Sequence, residues 1–114
     1  MSIERRQHPR FPCRVEVLID GRPAPIAATT RDVSVGGVFL YSDDPRPLND
    51  AVDLTIKAET RTIRARGLVV HHLPDVGFGV QFLELTDADG DRLRGFLSEV
   101  ERRAGADPEW ATPA

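Results

Sequence analysis

The feature that most narrows the fold is a change of hydrophobic period late in the chain. Up to Phe82 the apolar residues recur at every second position in short runs; after Leu85 they recur at every third and fourth. Val15, Val17 and Ile19 share one face with Arg14 and Glu16 on the other, and Asp20-Gly21 supplies a hairpin turn. A second strand runs from about Pro25 to Val33, Gly36-Gly37 breaks it, and Val38 to Tyr41 forms a third. Asp43 to Asn49 carries two prolines and reads as a loop. Val52, Leu54 and Ile56 define a fourth strand, and Thr60 to His71 a fifth. In the fifth, Ile63 and Ala65 share one parity while Leu68 and Val70 share the other, so a bulge with a change of inward face is expected at Gly67. Leu73-Pro74-Asp75 turns the chain into a sixth strand with Phe78, Val80 and Phe82 on one face.

Beyond Leu85 the residues Leu93, Phe96, Leu97 and Val100 make one apolar stripe of helical period. Thr86 and Asp89 have capping-box spacing, Glu99 and Arg103 can pair one turn apart, and Ala104-Gly105 is the expected end. Six short strands followed by one amphipathic helix predict a mainly β fold: a small six-stranded antiparallel β-barrel plugged or flanked by a C-terminal α-helix. The expected organisation is a flexible N-terminal arm over residues 1–11, the barrel and helix over 12–104, and a disordered tail over 105–114 in which Trp110 is the one large apolar residue.

The chain has 114 residues, enough for one domain with its own core. Several function classes are disfavoured. A net charge of −3 and 6% aromatic residues do not furnish the basic, aromatic-lined groove of a single-strand nucleic-acid barrel, so no DNA or RNA partner is expected. No apolar run approaches the length of a membrane span and no leader pattern is present, so the expectation is a cytoplasmic protein with no membrane insertion. The single cysteine, Cys13, reads as a small apolar residue. His71 and His72 are adjacent and face opposite ways on a strand, so with only His8 and Cys13 besides, neither a metal site nor a cofactor is expected. Ser34 lacks the glycine that a nucleophile elbow needs two residues earlier, and no catalytic set is evident; the chain is not expected to be an enzyme.

Two short motifs do carry chemistry. Arg6 and Arg10 are spaced i, i+4 on the arm, and Asp32, Ser34 and Gly37 form Asp-x-Ser-x-x-Gly. A guanidinium fork matches the O6 and N7 acceptors of guanine, a geometry lysine cannot copy. A carboxylate accepts from the opposite guanine edge, while hydroxyls, cations and backbone N–H groups suit phosphate. Asp32 and Ser34 are two residues apart and so share a strand face, and Gly36 and Gly37 permit close backbone approach or positive φ. The set suits recognition of a dianionic ligand with two guanines, and nothing in it is suited to breaking a bond.

These motifs, in this order before a β-rich sequence, resemble the ligand signature of the PilZ domain, the bacterial receptor for cyclic di-GMP. The resemblance spans about residues 4–103, and the Gly79-Val80-Gln81-Phe82 stretch is similar to a late barrel strand of that family. It implies a six-stranded barrel with a C-terminal helix and an arm that folds onto the ligand. Carried over by position, the implied ligand-binding residues are Arg6, Arg10, Asp32, Ser34 and Gly37, with Gly36 as their neighbour. Arg5, preceding the first motif arginine, is the position where an arginine goes with a stacked ligand dimer in that family, so two ligands per chain are expected. The implied function is a stand-alone receptor or adaptor that changes conformation on binding cyclic di-GMP and signals through an unidentified effector protein. The alternative is a PilZ-type protein-interaction module that binds no nucleotide.

Overall fold

The computed structural model describes residues 9–21, 23–43 and 46–106, with 104–106 as backbone. Seven strands and one helix follow in chain order: β1 (Phe11–Pro12), β2 (Glu16–Ile19), β3 (Ile26–Ser34), β4 (Gly37–Tyr41), β5 (Ala51–Ala58), β6 (Arg61–Leu73), β7 (Gly77–Glu84) and α1 (Asp87–Ala106). All pairings are antiparallel, in the order β1-β3-β2-β5-β6-β7-β4, and an additional β3–β4 pairing closes the ring. Closure leaves the expected six-stranded barrel, β3-β2-β5-β6-β7-β4, with the two-residue β1 added. β1 and β2 lie along the same edge of β3, as Pro12 faces Asp32 and Glu16 faces Thr29.

The expected alternation fills the barrel. Val17, Ile19, Ile56, Ile63 and Phe78 are fully buried. At about 25 cal/mol per Å² of apolar surface removed from water, such side chains supply the main force for closure. α1 packs chiefly on β6, also touches β1, and sends the stripe Leu93, Phe96 and Leu97 into the core.

Three features differ from the periodicity reading. β6 does not change its inward parity at Gly67: Ile63, Ala65, Gly67 and Val69 all face inward, while Val70 is 50% exposed. A register shift does occur there, but the extra residue is Leu83 on β7, because Arg66 faces Glu84 and Gly67 faces Phe82. Glycine is required at 67 because a Cβ would strike Val80 and come within 2.6 Å of the Gln81 carbonyl oxygen. Asp20-Gly21 is not a tight two-residue hairpin, since β2 ends at Ile19 and β3 starts at Ile26. Asp20 instead extends the β2–β5 seam, its N–H donating to the Asp53 carbonyl at 3.0 Å and its carboxylate accepting from the Asp53 N–H at 2.9 Å. Phe11 is paired in β1, and α1 reaches Ala106, two residues past Ala104.

The helix is tied to the barrel at both ends. Near its C-terminal half, Glu99 accepts both arms of the Arg61 guanidinium at 3.0 and 2.9 Å, and Arg103 binds Glu59 of the β5–β6 turn at 2.8 Å. The expected Glu99–Arg103 pair exists, but at 3.8 Å it is the loosest contact of that cluster. At the N-terminus, the Asp89 N–H donates to the Thr86 hydroxyl, as in a capping box. The buried Asp89 carboxylate then accepts from that hydroxyl at 2.9 Å, from the Arg64 N–H at 3.2 Å and from Arg92 at 3.0 Å. Burial alone would raise its pKa; the three donors and the Arg92 charge outweigh it and hold the carboxyl below its ordinary 3.8.

A depressed folded-state pKa contributes stability that is complete above the unfolded value and lost as pH falls through the folded one. Asp89→Asn is therefore expected to cost about 1–3 kcal/mol near neutrality. In urea melts the gap between wild type and variant should narrow only below about pH 4, as the carboxylate protonates. A gap that stays constant to pH 2 would assign the effect to packing.

Candidate functional site

Parity alone would bury Asp32. On β3 the inward residues are Ala28 and Thr30, so the next inward position by alternation is 32. A bulge prevents this: Thr30 faces Leu40, Asp32 faces Phe39, and Arg31 is the extra residue. Beyond it Val33 takes the core position and Asp32 turns outward. The bulge is pinned from the other edge by Thr30, itself fully buried. Its hydroxyl donates to the Cys13 carbonyl at 2.7 Å and accepts from the Val15 N–H at 2.9 Å, satisfying the irregular link between β1 and β2. Cys13 is thereby half-buried; burial pushes its thiol up, so it stays protonated and unreactive at neutral pH.

A second bulge mirrors the first. On β6 Val69 faces Val80, His71 faces Gly79, and Val70 is the extra residue. The two bulges end one cross-strand row on the outer surface, running Asp32, Phe39, Gly79, His71. Phe39 is only 3% exposed yet lies outside the core cluster. It sits 6.2 Å from His71 and 6.5 Å edge-on to Tyr41, centroid to centroid.

Arginines surround this aromatic surface. Arg10 Nε lies 2.6 Å from Asp32 Oδ1, joining residues 22 positions apart. Arg31 Nε lies 2.8 Å from Asp32 Oδ2, and its guanidinium carbon sits 4.0 Å above the Phe39 ring. Arg14 lies 5.6 Å over Tyr41. Two guanidiniums thus meet the Asp32 carboxylate and a third, that of Arg14, lies over Tyr41, an excess of positive charge in a chain that is negative overall. Such a face can bind an anion, and its rings offer stacking partners for a planar base.

The structure brings together Arg10 and Asp32 of the sequence-predicted residues. Arg5 and Arg6 lie outside the described residues. Ser34 is 1% exposed and builds the β3–β4 turn: its Oγ accepts from the Gly36 and Gly37 N–H groups, both at 3.1 Å. Neither Gly36 nor Gly37 takes positive φ. Gly37 is instead needed for close approach, since a Cβ there would strike the Val80 carbonyl oxygen. Sequence reasoning missed Arg14, Arg31, Phe39, Tyr41 and His71. A signal did exist for Arg31 and Asp32: a charged pair interrupting the parity shared by Ile26, Ala28 and Thr30.

Among the described residues no group of three or more His, Cys, Asp or Glu is placed to hold a metal ion, and no helix is long and apolar enough to cross a membrane.

Comparison with known proteins adds the following. The PilZ domain family model matches residues 4–99. A Bacillus subtilis inhibitor of motility, MotI/DgrA, superposes with a TM-score of 0.72 at 18% identity over 90% of this chain and 53% of its own. The chain thus spans about half the length of that protein. The PilZ domain of CeSA from a cellulose-synthesizing bacterium superposes with a TM-score of 0.61 at 13% identity, covering 82% of this chain and 98% of its own. No curated protein matches the chain.

Proposed function

The chain belongs to the PilZ domain family, and on that premise we propose that it is a cytoplasmic receptor for cyclic di-GMP that acts through a protein partner. PilZ domains are regulatory binding modules, not enzymes. The observation that carries the reading is the contact between Arg10 and Asp32, which joins the two motifs at one point of the barrel surface. A guanine base offers O6 and N7 to a guanidinium fork and N1–H and N2–H to a carboxylate, so this pair suits its two edges. Phe39, Tyr41 and His71 supply rings for stacking, and Arg14, over Tyr41, adds a charge suited to a phosphate.

In this reading Ser34, Gly36 and Gly37 shape the turn that presents Asp32, while Arg5 and Arg6 join the ligand from the arm. Occupancy orders the arm on the barrel and alters the surface offered to the effector. One relative's description as an inhibitor of motility makes a motility protein one candidate partner class.

Calorimetric titration of cyclic di-GMP into wild type and Arg10→Ala, with GTP as control, tests the reading. The expected result is specific binding, lost in the variant, with two ligands per chain through Arg5. Absence of heat and of any thermal shift would favour the interaction module that binds no nucleotide.

A further inference from the structure

We propose that Arg31 is a built-in competitor for the base site, holding the two recognition elements that an incoming guanine must use. The inference rests on the cyclic di-GMP reading above. Recognition of a purine on this face needs a ring to stack on and a carboxylate edge to accept its N–H donors. In the structure Arg31 uses both: its guanidinium is 4.0 Å above Phe39, and its Nε is 2.8 Å from Asp32 Oδ2. Arg10 takes the remaining oxygen, Oδ1, at 2.6 Å. A planar, delocalised cation bonded to a carboxylate and lying on an aromatic face imitates the base it displaces.

Both groups cannot lie there together. A centroid distance of 4.0 Å is already stacking contact, so no ring fits between Arg31 and Phe39. A base that stacks on Phe39 must therefore move the guanidinium away. Arg31 is suited to that movement. It is the extra residue of the β3 bulge and faces no β4 partner, and its side chain is 44% exposed. Its carbonyl stays bonded to the Cys13 N–H at 3.2 Å, so the side chain swings while the strand remains fixed. A residue outside both motifs then sets the concentration at which the receptor responds, and keeps Asp32 and Phe39 covered below it.

The sign of the effect separates this role from direct ligand contact. Removing a competitor tightens binding; removing a contact weakens it. Cyclic di-GMP is titrated into wild type, Arg31→Ala and Arg31→Lys, with a melt of each. Arg31→Ala is expected to bind roughly 3–30-fold more tightly while its melting temperature falls by only the few degrees that loss of these exposed contacts costs. Arg31→Lys, which keeps the charge but loses the planar fork, should fall between. Binding by Arg31→Ala but not by wild type would also support the proposal. Equal or weaker binding by Arg31→Ala, with wild type binding, would overturn it and leave the receptor reading intact. No binding by any of the three would remove the receptor reading and this inference with it.

Discussion

Asp32→Ala should lower the affinity for cyclic di-GMP by about 100-fold or more, with little change in melting temperature. The two halves of this expectation come from different surroundings of one carboxylate. Toward a ligand, Asp32 is the proposed acceptor for a guanine edge, and charge-assisted hydrogen bonds contribute about 1.5–3 kcal/mol each. Loss of one to two such bonds corresponds to a factor of roughly 10 to 10,000 or more. Toward the fold, Asp32 pairs with Arg10 and Arg31, whose side chains are 48% and 44% exposed. Both guanidiniums regain water when the carboxylate goes, so no buried charge is stranded. Pairs of this kind contribute about 0–1 kcal/mol, and for a domain of this size 1 kcal/mol moves the melting temperature by roughly 4 °C. Titration and a thermal melt of the same sample check both halves. Undiminished binding would place recognition elsewhere; a fall of 10 °C or more would make Asp32 structural.

The fold was legible where hydrophobic period decided it and illegible where a bulge reset the phase. Val52, Leu54 and Ile56 alternate without interruption and all are buried, as are Leu93, Phe96 and Leu97 of the helical stripe. The β6 reading failed because Leu68 and Val70 are apolar and Gly67 has no side chain, so parity seemed to switch; the phase is in fact kept through Val69, and Val70 is the bulged residue. Of the candidate site, the motif residues Arg10 and Asp32 were legible as candidates because their chemistry is distinctive. Their neighbours were not. Phe39 looks like any core residue of its strand until the register places it opposite Asp32 and Gly79 on the outer face. Ser34 reads from the sequence as a ligand hydroxyl, and the structure adds that its oxygen accepts from the turn N–H groups.

Gly37→Ala should, by contrast, lose stability and binding together. Gly37 is a motif residue, and a glycine beside a ligand is commonly read as leaving space for that ligand. Here the space is taken by the protein. A Cβ at 37 would strike the Val80 carbonyl oxygen and lie 3.4 Å from the Gln81 Cα. Both are backbone atoms of β7, which is held on its far side by β6, so neither can yield as a side chain would. The β4–β7 seam must open at this end. That strains the Phe82 N–H bond to the Gly36 carbonyl, 2.9 Å, and the Ser34 hydroxyl contacts that shape the turn after Asp32. Overpacking costs about 1–3 kcal/mol and each weakened hydrogen bond about 1 kcal/mol more. The expected loss is about 3 kcal/mol or more, a fall of roughly 10 °C or more in melting temperature. Reduced binding follows because Asp32 is presented by the displaced turn. The pairing of the two losses is the diagnostic result, since a variant that kept its melting temperature but lost ligand would make Gly37 a contact residue and return the turn to a supporting role.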